Sequence, residues 1–175
     1  RVCSGNFVTA RPIGVVDGVD FMHTGKVRRV DVQGIRRQLD DGSVVLLSPL
    51  GYSPTGEIFS LTLEDIAVHC ASAIGADKLI LFGEHEGITN ADGELLRQCT
   101  VGNIGKLDVP APDQCALLHT ARQACLAGVP RCHIISYSND CALLEELFTH
   151  DGSGTLVAND DYEQSRQADI DDAPR

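Results

Sequence analysis

Three short runs of consecutive apolar residues, each followed or preceded by a helix-like stretch, constrain this chain more than any other feature. Residues 43–48 (SVVLLS), 77–82 (DKLILF) and 132–137 (CHIISY) are apolar on successive rather than alternate positions, the pattern of parallel strands covered on both faces. Helical periodicity fills the spaces between them. Val32, Ile35 and Leu39 share a face behind the capping residue Asp31, and Ile66, Ala67, Cys70, Ala73 and Ile74 follow the capping box Thr62-Leu63-Glu64-Asp65. Further helices are predicted over 113–127, ended by Gly128 and Pro130, and over 140–148. Strand alternating with helix predicts an α/β fold with a largely parallel sheet.

The intervening segments are less regular. An opening hairpin is predicted from the apolar stretch 6–10, a Pro12/Gly14 turn and Val15-Val16, and a short strand from 27–30. Residues 49–57 leave the carboxyl end of a predicted strand, where open α/β sheets place ligands, and are a candidate pocket rim. Asn90-Ala91-Asp92-Gly93 is a turn. Residues 97–113 carry Gly102, Gly105, Pro110 and Pro112 without a sustained period and are predicted as a long loop. A last strand is predicted at 155–158, and from Asn159 the composition turns polar, as in a linker. Arg1 is no initiator and the first residues read as the middle of a hairpin, so the chain is expected to be a fragment.

With 175 residues and 43% hydrophobic composition the chain can bury one substantial core. Its 14 basic and 25 acidic residues give a net charge of -11, which disfavours a nucleic-acid backbone or an anionic membrane as partner. The seven cysteines are odd in number, lie mostly in apolar segments and show no C-x-x-C pair, as expected of reduced thiols in a cytoplasmic protein. The six histidines (His23, His69, His85, His119, His133 and His150) have no metal-ligand spacing, and Cys132 and His133 point to opposite faces of one strand.

Chemistry is concentrated after the third apolar run. Glu146 falls in the last turn of a predicted helix, where the backbone dipole disfavours an anion; a ligand cation or plain solvation would account for it. The loop Asp151-Gly152-Ser153-Gly154-Thr155 that follows is compatible with a helix C-cap or with an anion cradle of backbone amides, and together with Glu146 suggests an α-amino acid site. It is no P-loop, because it leaves a helix and enters a strand. Glu84, His85 and Glu86 cluster after a strand end, as general acids and bases do, although a solvated turn gives the same pattern. No G-x-S-x-G nucleophile motif is present.

These pieces resemble a known family. The segments V-C-S-G-N-F, D-G-V-D-F-M-H-T-G-K-V-R-R-V-D, I-R-R-Q-L-D-D-G, T-G-E-I-F-S-L-T, R-C-H-I-I-S-Y and E-L-F-T-H-D-G-S-G-T are similar to the amino acid kinase-like half of the bacterial N-acetylglutamate synthases (amino-acid acetyltransferases), relatives of acetylglutamate kinase. The resemblance implies a three-layer α/β sandwich whose N-terminal part, with the family's glycine-rich motif, is absent here. Residues 1–158 would be the C-terminal part of that domain, and 159–175 a linker and the first strand of a truncated acetyltransferase domain.

The same resemblance implies a silent kinase site. Where the kinases carry N-x-N-A-D, this chain reads Ser60-Leu61-Thr62-Leu63-Glu64, and the phosphate-binding lysine falls near Leu117. Losing such an electrostatic stabiliser costs about a thousandfold in rate. No catalytic residue and no cofactor are therefore expected in this segment, acetyl-CoA being a substrate of the parent enzyme. Glu146, Gly152 and Gly154 would bind an arginine effector: Glu146 its guanidinium, the glycine-loop amides its carboxylate, with Glu145 solvated. Implied partners are L-arginine, the attached acetyltransferase domain and further copies of the chain in a homo-oligomer, with feedback inhibition as the bacterial expectation. An active acetylglutamate kinase is the alternative.

Overall fold

The computed structural model describes residues 1–149 and 152–159. The chain divides into two compact units, Arg1–Ala76 with Ala127–Val129, and Asp77–Leu126 with the chain from Pro130 onward. His150, Asp151 and the expected acetyltransferase strand beyond Asn159 lie outside the described residues.

The first unit holds β1 (Val2–Ser4), β2 (Val8–Pro12), β3 (Val15–Val16), β4 (Val19–Asp20), β5 (Gly25–Val30), α1 (Val32–Asp40), β6 (Val44–Leu46), β7 (Leu50–Tyr52), β8 (Ile58–Ser60) and α2 (Leu63–Ile74). Four strands form a sheet in the order β5-β2-β7-β8. Its inner face carries Val8, Ala10, Val27, Val30 and Phe59, which pack with Ile35, Ile66 and Cys70 from the two helices. The predicted cap is present: the Asp31 carboxylate accepts from Gly34 N at 3.0 Å.

Three expectations need correction in this unit. The apolar run 43–48 is a strand only over Val44–Leu46, paired in parallel with β1. Val44 and Leu46 are 61% and 58% exposed, so this strand is not covered on both faces. The predicted opening hairpin between 6–10 and Val15-Val16 does not form, since β2 pairs with β5 and β7 and β3 pairs with β4; the candidate rim 49–57, by contrast, forms β7 and its turn into β8, closed by Ser53 N donating to Glu57 O at 2.8 Å, and its Tyr52, Ser53 and Pro54 line a cavity. In the Thr62 box only the forward half forms, Asp65 N donating to Thr62 Oγ1 at 3.2 Å. The Asp65 carboxylate instead accepts from Val27 N at 2.7 Å, tying α2 to the sheet. Asp is one methylene shorter than the Glu that normally reaches back, and a strand amide lies in its range.

The second unit holds β9 (Lys78–Gly83), β10 (Ile88–Thr89), β11 (Leu95–Leu96), β12 (Gln98–Thr100), a 3₁₀ turn (Ile104–Lys106), α3 (Pro112–Leu126), β13 (Arg131–Ser136), α4 (Ala142–Phe148) and β14 (Thr155–Ala158). The sheet order is β12-β14-β13-β9. Pairing is parallel for β9/β13 and β12/β14 and antiparallel for β13/β14. The class is therefore mixed α/β as expected, with parallel ladders interrupted by antiparallel ones in both units. The predicted long loop 97–113 contributes a strand, β12, and a 3₁₀ turn. Its short β12 run reads as loop because three residues carry too little periodicity to register.

One face of this sheet is the core. Leu81, Cys132, Ile134, Cys99 and Val157 pack there with Leu118, Ala121 and Cys125 of α3. Burial pushes the Cys99 thiol up to about 11. The fully buried Thr155 locks the sheet to the β10–β11 hairpin: its hydroxyl accepts from Ile88 N at 2.8 Å and donates to Leu96 O at 2.6 Å.

Candidate functional site

Alternation along β13 sends Cys132 and Ile134 into the α3 core and Arg131 and His133 to the opposite face. Register extends that second face across the sheet. Arg131 lies opposite Lys78 on β9, and His133 lies between Ile80 of β9 and Leu156 of β14. Leu156 in turn pairs with Gln98 of β12. Above this row come the end of α4 and the glycine loop, enclosing a cavity of about 620 Å³ lined by Lys78, Arg97, Arg131, His133, Glu146 and Gly152 among others.

At its centre is a buried pair. His133 Nδ1 lies 2.5 Å from Glu146 Oε1, and the two side chains are 9% and 6% exposed. The other carboxylate oxygen, Oε2, accepts from the amides of Ser153 at 2.7 Å and Gly154 at 3.1 Å. Burial raises the carboxyl's pKa, but the hydrogen bonds from His133, Ser153 and Gly154, with the attraction of His133, outweigh it, so Glu146 titrates below its ordinary value. These partners explain how an anion survives in the last turn of α4: the compensating dipoles come from the next loop and the neighbouring strand.

The glycines are required by this closeness. Gly152 has φ +62°, and a Cβ there would lie 2.7 Å from Glu146 Oε2. A Cβ on Gly154 would run into the Ile134 carbonyl. The expectation that the loop amides face a ligand carboxylate is corrected here: the Gly154 amide is directed at Glu146, and the Gly152 amide donates to Thr149 Oγ1 at 3.2 Å. The loop is an anion cradle, and the anion it cradles belongs to the chain. Glu146, Gly152 and Gly154 all line this cavity, and Glu145 is exposed.

His133 was not singled out as a site residue by sequence reasoning. Because Glu146 Oε1 only accepts, Nδ1 carries the hydrogen, which leaves Nε2 an acceptor in the neutral ring or a donor in the imidazolium. Nε2 is buried and has no hydrogen-bond partner among the described residues. A buried unsatisfied ring nitrogen is costly and calls for a partner. Lys78, Arg97 and Arg131 were missed as well; each is separated in sequence by 19 or more residues, and only the strand register assembles them.

The remaining candidates do not form a reactive group. His85 Nε2 is 3.6 Å from Asp113 Oδ2, both side chains more than half exposed, and Glu84 and Glu86 face solvent. No cluster of three or more potential metal ligands occurs among the described residues. In the first unit, Ser60 and Glu64 are exposed, Ser60 using its backbone amide to bond His23 O at 2.7 Å. In the second, Leu117 packs against the core cluster with Cδ1 close over Gly83. Among the described residues no helix is long and apolar enough to cross a membrane.

Comparison with known proteins agrees with the fold. The model of the amino acid kinase family matches residues 2–136. The chain belongs to the amino acid kinase family. Within that family it is 56% identical, over 98% of its own length and 40% of the relative's, to the amino-acid acetyltransferase of Azotobacter vinelandii. It thus spans about two fifths of the curated relatives it matches. Among solved structures it is similar to N-acetylglutamate synthase from Neisseria gonorrhoeae complexed with coenzyme A and L-arginine, with TM-score 0.86 and 38% identity over 90% of this chain and 37% of that one. The same synthase complexed with coenzyme A and N-acetyl-glutamate gives TM-score 0.85 and 36% identity over 96% of this chain and 38% of that one.

Proposed function

We propose that this chain is the arginine-sensing, kinase-like part of an N-acetylglutamate synthase and performs no phosphoryl transfer itself. The observation that carries this reading is the mixed-charge cavity built on the His133–Glu146 pair, in a chain similar to a synthase complexed with L-arginine. Arginine is a zwitterion with a second cation at its far end. A cavity that offers one held carboxylate and three basic side chains matches that charge distribution. The guanidinium goes to Glu146, where it shares or takes over the Oε1 lone pair that His133 engages, in a charge-assisted bond. The α-carboxylate goes to the basic rim of Lys78, Arg97 and Arg131, in place of the glycine amides suggested by the sequence.

Binding there reaches the rest of the protein through α4, whose end is fixed to β13 and the loop by Glu146 alone of its carboxylates. Coupling between two such sites is typically about 1–3 kcal/mol, enough for 5- to 150-fold inhibition of an attached acetyltransferase domain. A homo-oligomer in the cytoplasm goes with this reading, and sedimentation of the complete protein reads the assembly.

The test is acetyl-CoA consumption by the complete protein with glutamate present and arginine titrated, beside a reaction with MgATP and N-acetylglutamate. The expected result is glutamate acetylation suppressed by arginine and no ADP formed. Acetylation unaffected by arginine refutes the sensor role, and ATP-dependent phosphorylation of N-acetylglutamate would make the chain an acetylglutamate kinase.

A further inference from the structure

The first unit carries a second polar cavity, unrelated to the Glu146 site, and its chemistry is set by a fault in the strand pairing. Along the β2/β5 ladder Val8 pairs with Val30 and Thr9 with Arg29, but Ala10 pairs with Val27. Arg28 has no counterpart, so Arg28 and Arg29 together face the single residue Thr9 in a β-bulge. Bulges re-aim side chains in this way and are enriched beside functional sites.

The consequence is visible in the burial of β5, where Lys26 is exposed and Val27 buried, then Arg28 and Arg29 are both exposed, then Val30 is buried. Strict alternation would send Arg29 to the same face as Val27, into the core. The bulge instead places two consecutive guanidinium groups on the outer face while Val27 and Val30 both remain in the core. Register adds the rest of the row: Thr9 lies opposite Arg29 on one side and Tyr52 of β7 on the other, so the three share that outer face. Arg28, Arg29, Thr9 and Tyr52 line one cavity of about 340 Å³ with Asn6 and the Ser53-Pro54 turn.

No acidic side chain lines this cavity, in a protein with 25 acidic residues and a net charge of -11. Neither Arg28 nor Arg29 has an ion pair or side-chain hydrogen bond among the described residues. Two adjacent arginines repel each other, and a bulge that turns both to one side keeps that repulsion unless an anion relieves it. The size is that of a small-ligand pocket. Two guanidinium forks, with the Thr9 and Tyr52 hydroxyls and the Asn6 amide beside them, fit planar or tetrahedral oxyanions, which Arg binds in bidentate fashion.

We propose that this bulge forms a binding site for a doubly charged small oxyanion, a dicarboxylate or a phosphate monoester. Arg28 and Arg29 take the charge, and Thr9 and Tyr52 bound the site along the register row. It is separate from the arginine cavity and does not depend on the regulatory reading.

Phenylglyoxal modification of the complete protein, mapped by peptide mass spectrometry, tests it residue by residue. Inorganic phosphate and succinate are the two dianion probes, acetate the monoanion control and the exposed Arg37 the internal control. Either dianion at about 10 mM, an occupancy expected for even a millimolar site, should slow modification of Arg28 and Arg29 at least fivefold and leave Arg37 unchanged. Protection by phosphate alone assigns a phosphate-bearing ligand, and by succinate alone a dicarboxylate. In a calorimetric titration the same dianion should bind the Arg28→Gln/Arg29→Gln variant at least tenfold more weakly, with its melting temperature within about 2 °C of the parent because both side chains are exposed. Equal rates with and without both dianions, equal protection by acetate, or unchanged affinity in the double variant would overturn the proposal.

Discussion

Replacing Glu146 separates the charge of its carboxylate from its shape, and the structure gives a different magnitude for each. In Glu146→Gln one side-chain oxygen still accepts from Ser153 N and Gly154 N, so the loop keeps its acceptor, and the loss is confined to the charge-assisted bond with His133 Nδ1. A hydrogen bond to a charged group contributes about 1.5–3 kcal/mol, and no large discount for solvent applies because the two side chains are only 6% and 9% exposed. Glu146→Ala leaves His133 Nδ1 and both amides buried without an acceptor, and breaking a buried pair in this way costs about 3–5 kcal/mol. Urea unfolding at pH 7 should therefore order the proteins as parent, then Gln, then Ala. Acid adds an independent check. The folded-state pKa of Glu146 is depressed below 4.5, so its stabilisation is fully present above that value and is lost as pH falls through the folded pKa. The gap between parent and Glu146→Gln should close as pH falls below about 4.5. A Glu146→Ala variant within about 0.5 kcal/mol of the parent, or a gap that widens in acid, would refute the cradle as a source of stability.

Thr155→Val keeps the volume of a fully buried side chain but strips the partner from Ile88 N and Leu96 O, and should cost about 1–3 kcal/mol for each group left unsatisfied, read by denaturant unfolding. Asp65→Ala removes the acceptor of Val27 N and should destabilise by about 1–3 kcal/mol, whereas Glu64→Ala, exposed on the same helix turn, should change stability by less than about 0.5 kcal/mol. Burial raises the thiols of Cys70 and Cys99 to about 11, so a thiol-reactive dye at pH 8 should label the exposed Cys115 and Cys141 at least tenfold faster, with peptide mapping as the measurement.

The parts of the fold legible in the sequence were those with enough residues to express a period. The helix α3, the strand β13 and the caps at Asp31 and Thr62 lie where apolar spacing and capping chemistry put them. What failed to show were features of two or three residues, such as β12, and features decided by a distant partner. The Asp65 carboxylate is an example: its sequence context is a capping box, and its actual acceptor role is fixed by Val27, 38 residues away. Apolar run 43–48 misled for a related reason, since an uninterrupted apolar sequence states what a strand could bury, while Val44 and Leu46 remain exposed in the structure.

The candidate site divides along the same line. Glu146 was conspicuous because a carboxylate conflicts with the dipole of its own helix, and Gly152 and Gly154 because glycines flank a single serine. All three are local anomalies, and local anomalies are visible in one dimension. His133 was not anomalous: a histidine in an apolar strand is more often a packed core residue than a ligand. Its role appears only when β13 is placed beside α4, which brings its Nδ1 to Glu146 and leaves Nε2 buried without a partner. The sequence leaves the loop open between a helix C-cap and an anion cradle, and in the structure the Ser153 and Gly154 amides hold a carboxylate of the chain itself, that of Glu146. The cavity therefore presents a carboxylate already held by two amides and His133. On the proposed reading, that arrangement lowers the ordering cost of binding a guanidinium, and it makes His133, which shares Oε1 with the ligand, the residue through which binding would be felt in the sheet.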